Sequence, residues 1–254
     1  MLSDRTQQEF ARQAAAMASA AIFNAQDVLK AIVEASGHGP AKTVLDVGCG
    51  PGIVVEALAK QGGKVVGIDV TPEMIQQGRQ RCGQAGLANA EFILGPAETL
   101  PFPSGSFDGV VSRLALHHVS DPAKVVGEMS RVLRSGGRMV LADIVASENP
   151  VESELHNAIE TLRDPSHVRM MPLSEFVSIA GAADLALLAQ KQWDQHRQFE
   201  EWVKIANAPE REQPLKVVME NLARAGLRAG IDLQCRDGRI TFCHRLTMLV
   251  ARKP

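Results

Sequence analysis

Between residues 43 and 145 the apolar positions fall in short, nearly unbroken runs separated by stretches of helical spacing. Thr43-Val44-Leu45-Asp46-Val47 is bounded by glycines and lacks the alternation of a half-exposed strand, the pattern of a parallel strand buried on both faces. Similar runs predict strands over 64–69, 90–94, 107–112 and 137–144, and the intervening spacing predicts helices over 52–60, 72–83 and 122–134. Thr71-Pro72 and Asp121-Pro122 each place a capping side chain before a proline, whose missing N–H costs nothing at the first helical position. Gly136 follows the last turn of the third of these helices. Strands alternating with helices over short connections predict an open, mostly parallel sheet.

The flanks differ. Residues 5–36 are rich in alanine and glutamine, with apolar side chains at Phe10, Met17, Phe23, Val28, Leu29 and Ile32, which predicts one or two helices ended by Gly37-His38-Gly39-Pro40. After residue 147 helices are expected over 150–163, 173–183, 198–207 and 213–228, with a strand over 185–193. The chain then finishes in a short strand over 233–236, an Asp237-Gly238 turn and a longer strand over 240–251. No repeat or low-complexity linker divides it, so one domain is expected: an N-terminal helical cap over 1–36, a core over 40–147, a helical insertion over 148–230 and terminal strands over 231–254.

Composition narrows the classes. The 254 residues are 45% hydrophobic and 22% charged, and no run reaches the roughly 18 to 20 apolar residues of a membrane span. Asp4, Arg5, Glu9 and Arg12 interrupt the first residues, which therefore do not read as a secretory signal, and a cytoplasmic location is expected. A net charge of −2 offers no overall attraction for nucleic acid. Cys49, Cys82, Cys235 and Cys243 have neither CxxC nor metal-ligand spacing, so free thiols and no metal are expected.

The chemistry gathers after the first strand, where Gly48-Cys49-Gly50-Pro51-Gly52 occupies the position at which open parallel sheets bind ligands. Glycine permits positive φ and lets a ligand lie against the backbone. The spacing is tighter than the GxGxxG of dinucleotide binders, and alone it is equally readable as a structural strand-to-helix turn. Asp69 ends the second strand, where a carboxylate accepts both hydroxyls of a ribose; its structural reading is a turn residue beside Thr71.

Taken together, Val44-Leu45-Asp46-Val47-Gly48-Cys49-Gly50-Pro51-Gly52, Gly67-Ile68-Asp69, Gly95-Pro96-Ala97-Glu98, Ser106-Phe107-Asp108, Leu116-His117-His118-Val119-Ser120-Asp121-Pro122 and Arg131-Val132-Leu133-Arg134-Ser135-Gly136-Gly137 resemble, in order and spacing, the motifs of class I S-adenosylmethionine-dependent methyltransferases. The run is most similar to the ubiquinone and menaquinone biosynthesis C-methyltransferase group (methyltransferase type 11) and its small-molecule relatives. The resemblance implies an α/β fold: a Rossmann-like, mostly parallel seven-stranded sheet with an antiparallel last strand, helices on both faces and a helical cap. It implies S-adenosylmethionine as cofactor, S-adenosylhomocysteine as product, and an aromatic, heterocyclic or quinone-like small molecule as acceptor; no nucleic acid partner is expected, and a monomer and a homodimer are both open.

By the same resemblance, Asp46 orients the loop and the methionine amino group, and Gly48, Cys49, Gly50, Pro51 and Gly52 lie under the methionine and ribose. Asp69 takes the ribose hydroxyls, Val70 and Met74 flank the adenine, Pro96, Ala97 and Glu98 follow its edge, and Arg113, Leu114 and His118 follow the fourth strand. Pro96 departs from the family, which has an aspartate or asparagine there to accept from the adenine amino group; proline has neither that acceptor nor an N–H.

Methyl transfer from a sulfonium is an in-line displacement that needs alignment and exclusion of water more than acid–base help. Where the acceptor must lose a proton, His117 is the expected base, with His118 beside it and His156 and Glu160, one helical turn apart, as alternatives. Adjacent histidines also serve as plain hydrogen-bonding residues. His38, His167, His196 and His244 read as surface or local hydrogen-bonding residues, and Met170, Met171, Trp193, Phe199 and Trp202 as pocket lining or helix-packing core. Two other classes share parts of this pattern: a nicotinamide-dependent oxidoreductase, which the tight loop disfavours, and a non-catalytic S-adenosylmethionine-binding protein. The methyltransferases of nucleic-acid bases carry Asn/Asp-Pro-Pro-aromatic where this chain has Ser112-Arg113-Leu114-Ala115.

Overall fold

The computed structural model describes residues 4–254; of the expected N-terminal cap, 1–3 lie outside the described residues. Two helices, α1 (Asp4–Ser19) and α2 (Gln26–Ser36), precede the sheet and are joined by a 3-10 turn, Ala21–Asn24. The chain continues through β1 (Thr43–Val47), α3 (Ile53–Ala59), β2 (Lys64–Asp69), α4 (Pro72–Gln84), β3 (Ala90–Leu94) and β4 (Phe107–Arg113). A second 3-10 turn, Leu116–His118, leads to α5 (Pro122–Val132) and β5 (Leu133–Val145). Then come α6 (Pro150–Arg163), α7 (Leu173–Ala182), β6 (Ala186–Gln198), α8 (Phe199–Ile205), α9 (Pro209–Arg224), β7 (Gln234–Arg236) and β8 (Arg239–Arg252).

The strands pair in the order β3-β2-β1-β4-β5-β8-β6, parallel from β3 to β5, with β8 antiparallel to both neighbours. This is the expected seven-strand sheet with its last strand reversed; the three-residue β7 adds an eighth strand by folding back on β8. Neighbouring residues on each strand serve opposite faces. Val44, Val65 and Val111 pack with α2 and α3, whereas Leu45, Val66 and Val110 pack with α5 and α7, so helices cover both faces. Beyond β5, the start of β8 leaves this double layer: Ile240 and Phe242 join Trp202, Leu215, Met219 and Ile159 in a third core under α6, α8 and α9. Among the described residues no helix is long and apolar enough to cross a membrane.

Several boundaries moved for identifiable reasons. Asp121 caps α5 as expected, its carboxylate accepting from the Lys124 N–H at 2.9 Å, but Thr71 does not cap α4; the Thr71 N–H is instead taken by Asp69 at 2.9 Å. The third expected helix stops at Val132, and β5 begins at once through an irregular, solvent-facing stretch in which Gly136 (φ 75°) makes the turn. Strand β6 runs five residues past its expected end at 193 because β8 pairs with it through Gln198; a polar edge strand has little hydrophobic signal to mark it. Helix α9 starts at Pro209, which suits the first helical position, and Gly226 at φ 75° terminates it before the expected 228.

Candidate active site

The chain runs outward from β1 through β2 to β3 and returns to β4, so the switch point opens at the carboxyl ends of β1 and β4. A cleft of about 710 Å³ lies there. Its floor is the glycine loop, with φ of 68° at Gly48, 49° at Gly50 and 77° at Gly52. The loop is tied to the end of β2: the Gly48 and Cys49 N–H groups donate to the Ile68 carbonyl at 2.9 and 3.0 Å, and the Gly50 N–H donates to Asp69 Oδ2 at 2.9 Å. Burial raises the Asp69 pKa, and the Thr71 and Gly50 N–H groups oppose that rise by stabilising the carboxylate.

A smaller hollow of about 430 Å³ continues under the loop, lined in part by Asp46, Cys49, Pro51 and Arg113. Asp46 is 1% exposed and its Oδ2 has no hydrogen-bond partner. Burial pushes its pKa up to about 8, Arg113 offsetting part of the rise and Asp69 adding to it. Arg113 thus acts on Asp46 through space, with no hydrogen bond to Oδ2. Arg113, held at about 10 by its own burial, points the other way: Nη1 donates to the Phe23 carbonyl at 2.7 Å, clamping the turn that walls the hollow. Arg113→Ala removes a charged hydrogen bond worth about 1.5–3 kcal/mol. We expect proteolysis within 20–25 to accelerate and the Kd for the nucleoside ligand to rise about tenfold, measured by limited digestion and calorimetry.

Helix α1 roofs the cleft through Phe10 and Met17, and Glu9 is bound by Arg211 of α9 at 2.8 Å. Phe10 meets the His118 ring edge-on at 4.7 Å between centroids. Across the wall formed by Met17, Leu114 and His118 lies a second cavity of about 550 Å³, lined also by His117, Glu160, Arg197 and His244. His117 Nδ1 sits 2.5 Å from Asp143 Oδ1, and Asp143 Oδ2 accepts the Leu116 and His117 N–H groups at 3.0 and 3.3 Å. Burial favours the neutral imidazole of His117, but the charge and hydrogen bond of Asp143 overcome it and raise the pKa above the ordinary 6.5. His118 goes the other way: burial, reinforced by the charge of His117, lowers it to about 3, and its Nδ1 lies 3.1 Å from the Ser166 carbonyl.

Of the residues expected at the site, Gly48, Gly50, Asp69, Val70, Met74, Ala97, Glu98, Leu114 and His118 line the cleft. Asp46, Cys49, Pro51 and Arg113 line the adjoining hollow, and His117 faces the second cavity. Gly52 lines neither space; a Cβ there would come within 2.8 Å of the Gly78 Cα, so its part is the packing of α3 on α4. Pro96 is exposed and also stays out of the lining, leaving Glu98 as the carboxylate beside Ala97. The sequence reading missed Asp143, although a lone carboxylate in Met139-Val140-Leu141-Ala142-Asp143-Ile144-Val145 was a signal. It also read His244 as surface or locally bonded; His244 is 2% exposed, and its Nδ1 has no hydrogen-bond partner.

Residues 45–141 match a family model described as a methyltransferase domain. The uncharacterized methyltransferase YcgJ of Bacillus subtilis is 40% identical over 166 residues, 65% of this chain and 66% of YcgJ. Its crystal structure superposes with a TM-score of 0.83 at 33% identity, covering 89% of this chain and 97% of that one. The uncharacterized protein YafE of Escherichia coli is 32% identical over 58% of this chain and 70% of its own length. The ubiquinone/menaquinone biosynthesis C-methyltransferase UbiE of Hahella chejuensis is 35% identical over 49% of this chain and 52% of its own. In sequence, therefore, the chain spans about half to 70% of these relatives' lengths.

Proposed function

The chain belongs to the class I S-adenosylmethionine-dependent methyltransferases, and from that membership we propose that it methylates a small molecule held in the cavity behind His117 and His118. The donor fits the cleft on the cleft's own chemistry. The backbone of Gly48 and Gly50 forms the floor, Asp69 stands at the end of β2 for a ribose, and in the adjoining hollow the unpartnered Asp46 Oδ2 suits the ammonium of a methionine moiety. Bound there, S-adenosylmethionine supplies a methyl group on a positively charged sulfur.

The residues of the chain then align the partners and exclude water. Phe10 and Met17 roof the donor, and Leu114 and His118 form the wall shared with the acceptor cavity. His117 donates Nδ1–H to Asp143 and keeps Nε2 for a proton from the acceptor; Asp143 stabilises the imidazolium so formed. The observation that carries this reading is the buried His117–Asp143 pair on the acceptor side of the wall. His118, held neutral, adds no charge against a cationic donor.

The working form of His117 is the unprotonated one, and its pKa is raised, so activity should climb with pH through a value above 6.5. Incubation with methyl-labelled S-adenosylmethionine and a metabolite extract, followed by mass spectrometry, identifies the acceptor. A rate profile on that acceptor then tests the base. A His117→Gln variant with the wild-type rate and pH profile would remove His117 from the chemistry.

A further inference from the structure

Helix α6 and strand β8 bring together three side chains for which neither the donor cleft nor the His117–Asp143 pair has a use. His156 and Glu160 lie one turn apart on α6 and His244 comes from β8; each is 1–2% exposed. Glu160 Oε1 stands 3.0 Å from His244 Nε2 and 4.0 Å from His156 Nε2, and one ligand atom from each residue falls within 4.8 Å of the others.

Hydrogen bonding does not account for the cluster. The 3.0 Å approach of His244 Nε2 to Glu160 Oε1 joins one ring nitrogen at most; both nitrogens of His156 and Nδ1 of His244 have no hydrogen-bond partner. Buried polar atoms concentrated in this way are costly unless something joins them. Donors about 2.1 Å from a metal ion stand about 3.0 Å apart at the edge of an octahedron and about 3.4 Å apart in a tetrahedron. The Glu160–His244 separation of 3.0 Å already meets that range, while His156 Nε2, at 4.0 Å from Glu160 Oε1, stands wider and would have to move inward on binding.

The surroundings suit the same occupant. Arg163 Nε donates to Glu160 Oε2 at 3.0 Å, fixing the carboxylate so that Oε1 is presented to the two rings. Burial takes His156 down to about 3 and also lowers His244, keeping both imidazoles neutral. Burial alone would raise the Glu160 carboxyl, but the charge of Arg163, helped by the His244 ring beside it, holds it well below the usual carboxylate range. Neutral imidazole and ionised carboxylate are the forms that bind metals.

We propose that His156, Glu160 and His244 form a site for one divalent transition-metal ion, with the remaining coordination positions open to the acceptor cavity. Two imidazoles and one carboxylate are a donor set for zinc, manganese or ferrous ions, against the expectation from cysteine spacing that no metal binds. Glu160 and His244 line that cavity, as do Arg163, Asp164 and Arg197. A doubly charged ion with Arg163 and Arg197 outweighs Glu160 and Asp164, so the fitting further ligand is an anionic oxygen: a carboxylate, enolate or phenolate of the acceptor. That last assignment rests on the methyl-transfer reading; the metal site does not.

The test uses Co²⁺ as a probe on the chelator-treated 254-residue protein without donor or acceptor. One Co²⁺ per chain should be retained in equilibrium dialysis, with a saturable calorimetric isotherm. His156→Gln and His244→Gln should each weaken binding by more than about a hundredfold, since even outer-shell partners are worth roughly 10–100-fold. Asp69→Ala, in the donor cleft, should keep it. No saturable Co²⁺ retained by the wild type overturns the proposal, as does wild-type affinity in both glutamine variants. Metal binding without methyl transfer to any acceptor leaves the site standing and removes only the assignment of its further ligand.

Discussion

Replacing Asp143 by Asn lowers turnover by about two to four orders of magnitude, the range that a positioned general base contributes, while S-adenosylhomocysteine affinity stays within about threefold of wild type. The asymmetry follows from where Asp143 sits. Its Oδ1 is 2.5 Å from His117 Nδ1, and its Oδ2 takes the N–H groups of Leu116 and His117 that set the turn. Asparagine is nearly isosteric but uncharged, so it neither raises the His117 pKa nor stabilises an imidazolium, and its amide favours the wrong ring tautomer. Asp143 is outside the lining of the donor cleft, so binding there is spared. Steady-state kcat and KM on the identified acceptor, beside calorimetric Kd, separate the two effects; an unchanged kcat would show that the pair only holds the turn.

A second large effect is expected at Gly48. Any Cβ there would lie 2.5 Å from the Ala115 Cβ, and the residue also has φ of 68°. Gly48→Val adds overpacking of about 1–3 kcal/mol to left-handed strain of about 1–2 kcal/mol, so a loss of roughly 2–5 kcal/mol is expected. For a chain of this size that is about 5–15 °C in Tm, together with loss of donor binding as the floor of the cleft shifts. Gly86→Ala is the control. Gly86 has the same φ of 68° with nothing within 4 Å of its Cβ, so it reports strain alone, about 1–2 kcal/mol. Equal melting temperatures for the two variants would mean that the contact with Ala115 does not matter.

The cofactor half of the molecule was readable because its signals are local. A strand end, a glycine loop and an acidic strand end follow one another within a few residues, and buried parallel strands announce themselves as apolar runs. The acceptor half was less so, since its groups converge from far apart in sequence. His244 on β8 meets His156 and Glu160 on α6 only after β8 inserts between β5 and β6. Asp143 was hidden by its own strand, where one carboxylate in an apolar run passes for an interruption. Pro96 shows the limit of transfer by resemblance: the motif position is present, but its side chain lies outside the cleft and Glu98 lies within it.

On the proposed function, the cleft between β1 and β4 holds S-adenosylmethionine through Asp69 and the glycine loop. Calorimetric titration of wild-type protein and Asp69→Ala with S-adenosylhomocysteine tests it most directly. The expected result is one molecule bound per wild-type chain and an affinity lower by about tenfold or more in Asp69→Ala, which loses charge-assisted hydrogen bonds worth about 1.5–3 kcal/mol each. No saturable heat with wild type, or an Asp69→Ala isotherm that overlays it, would contradict that binding mode.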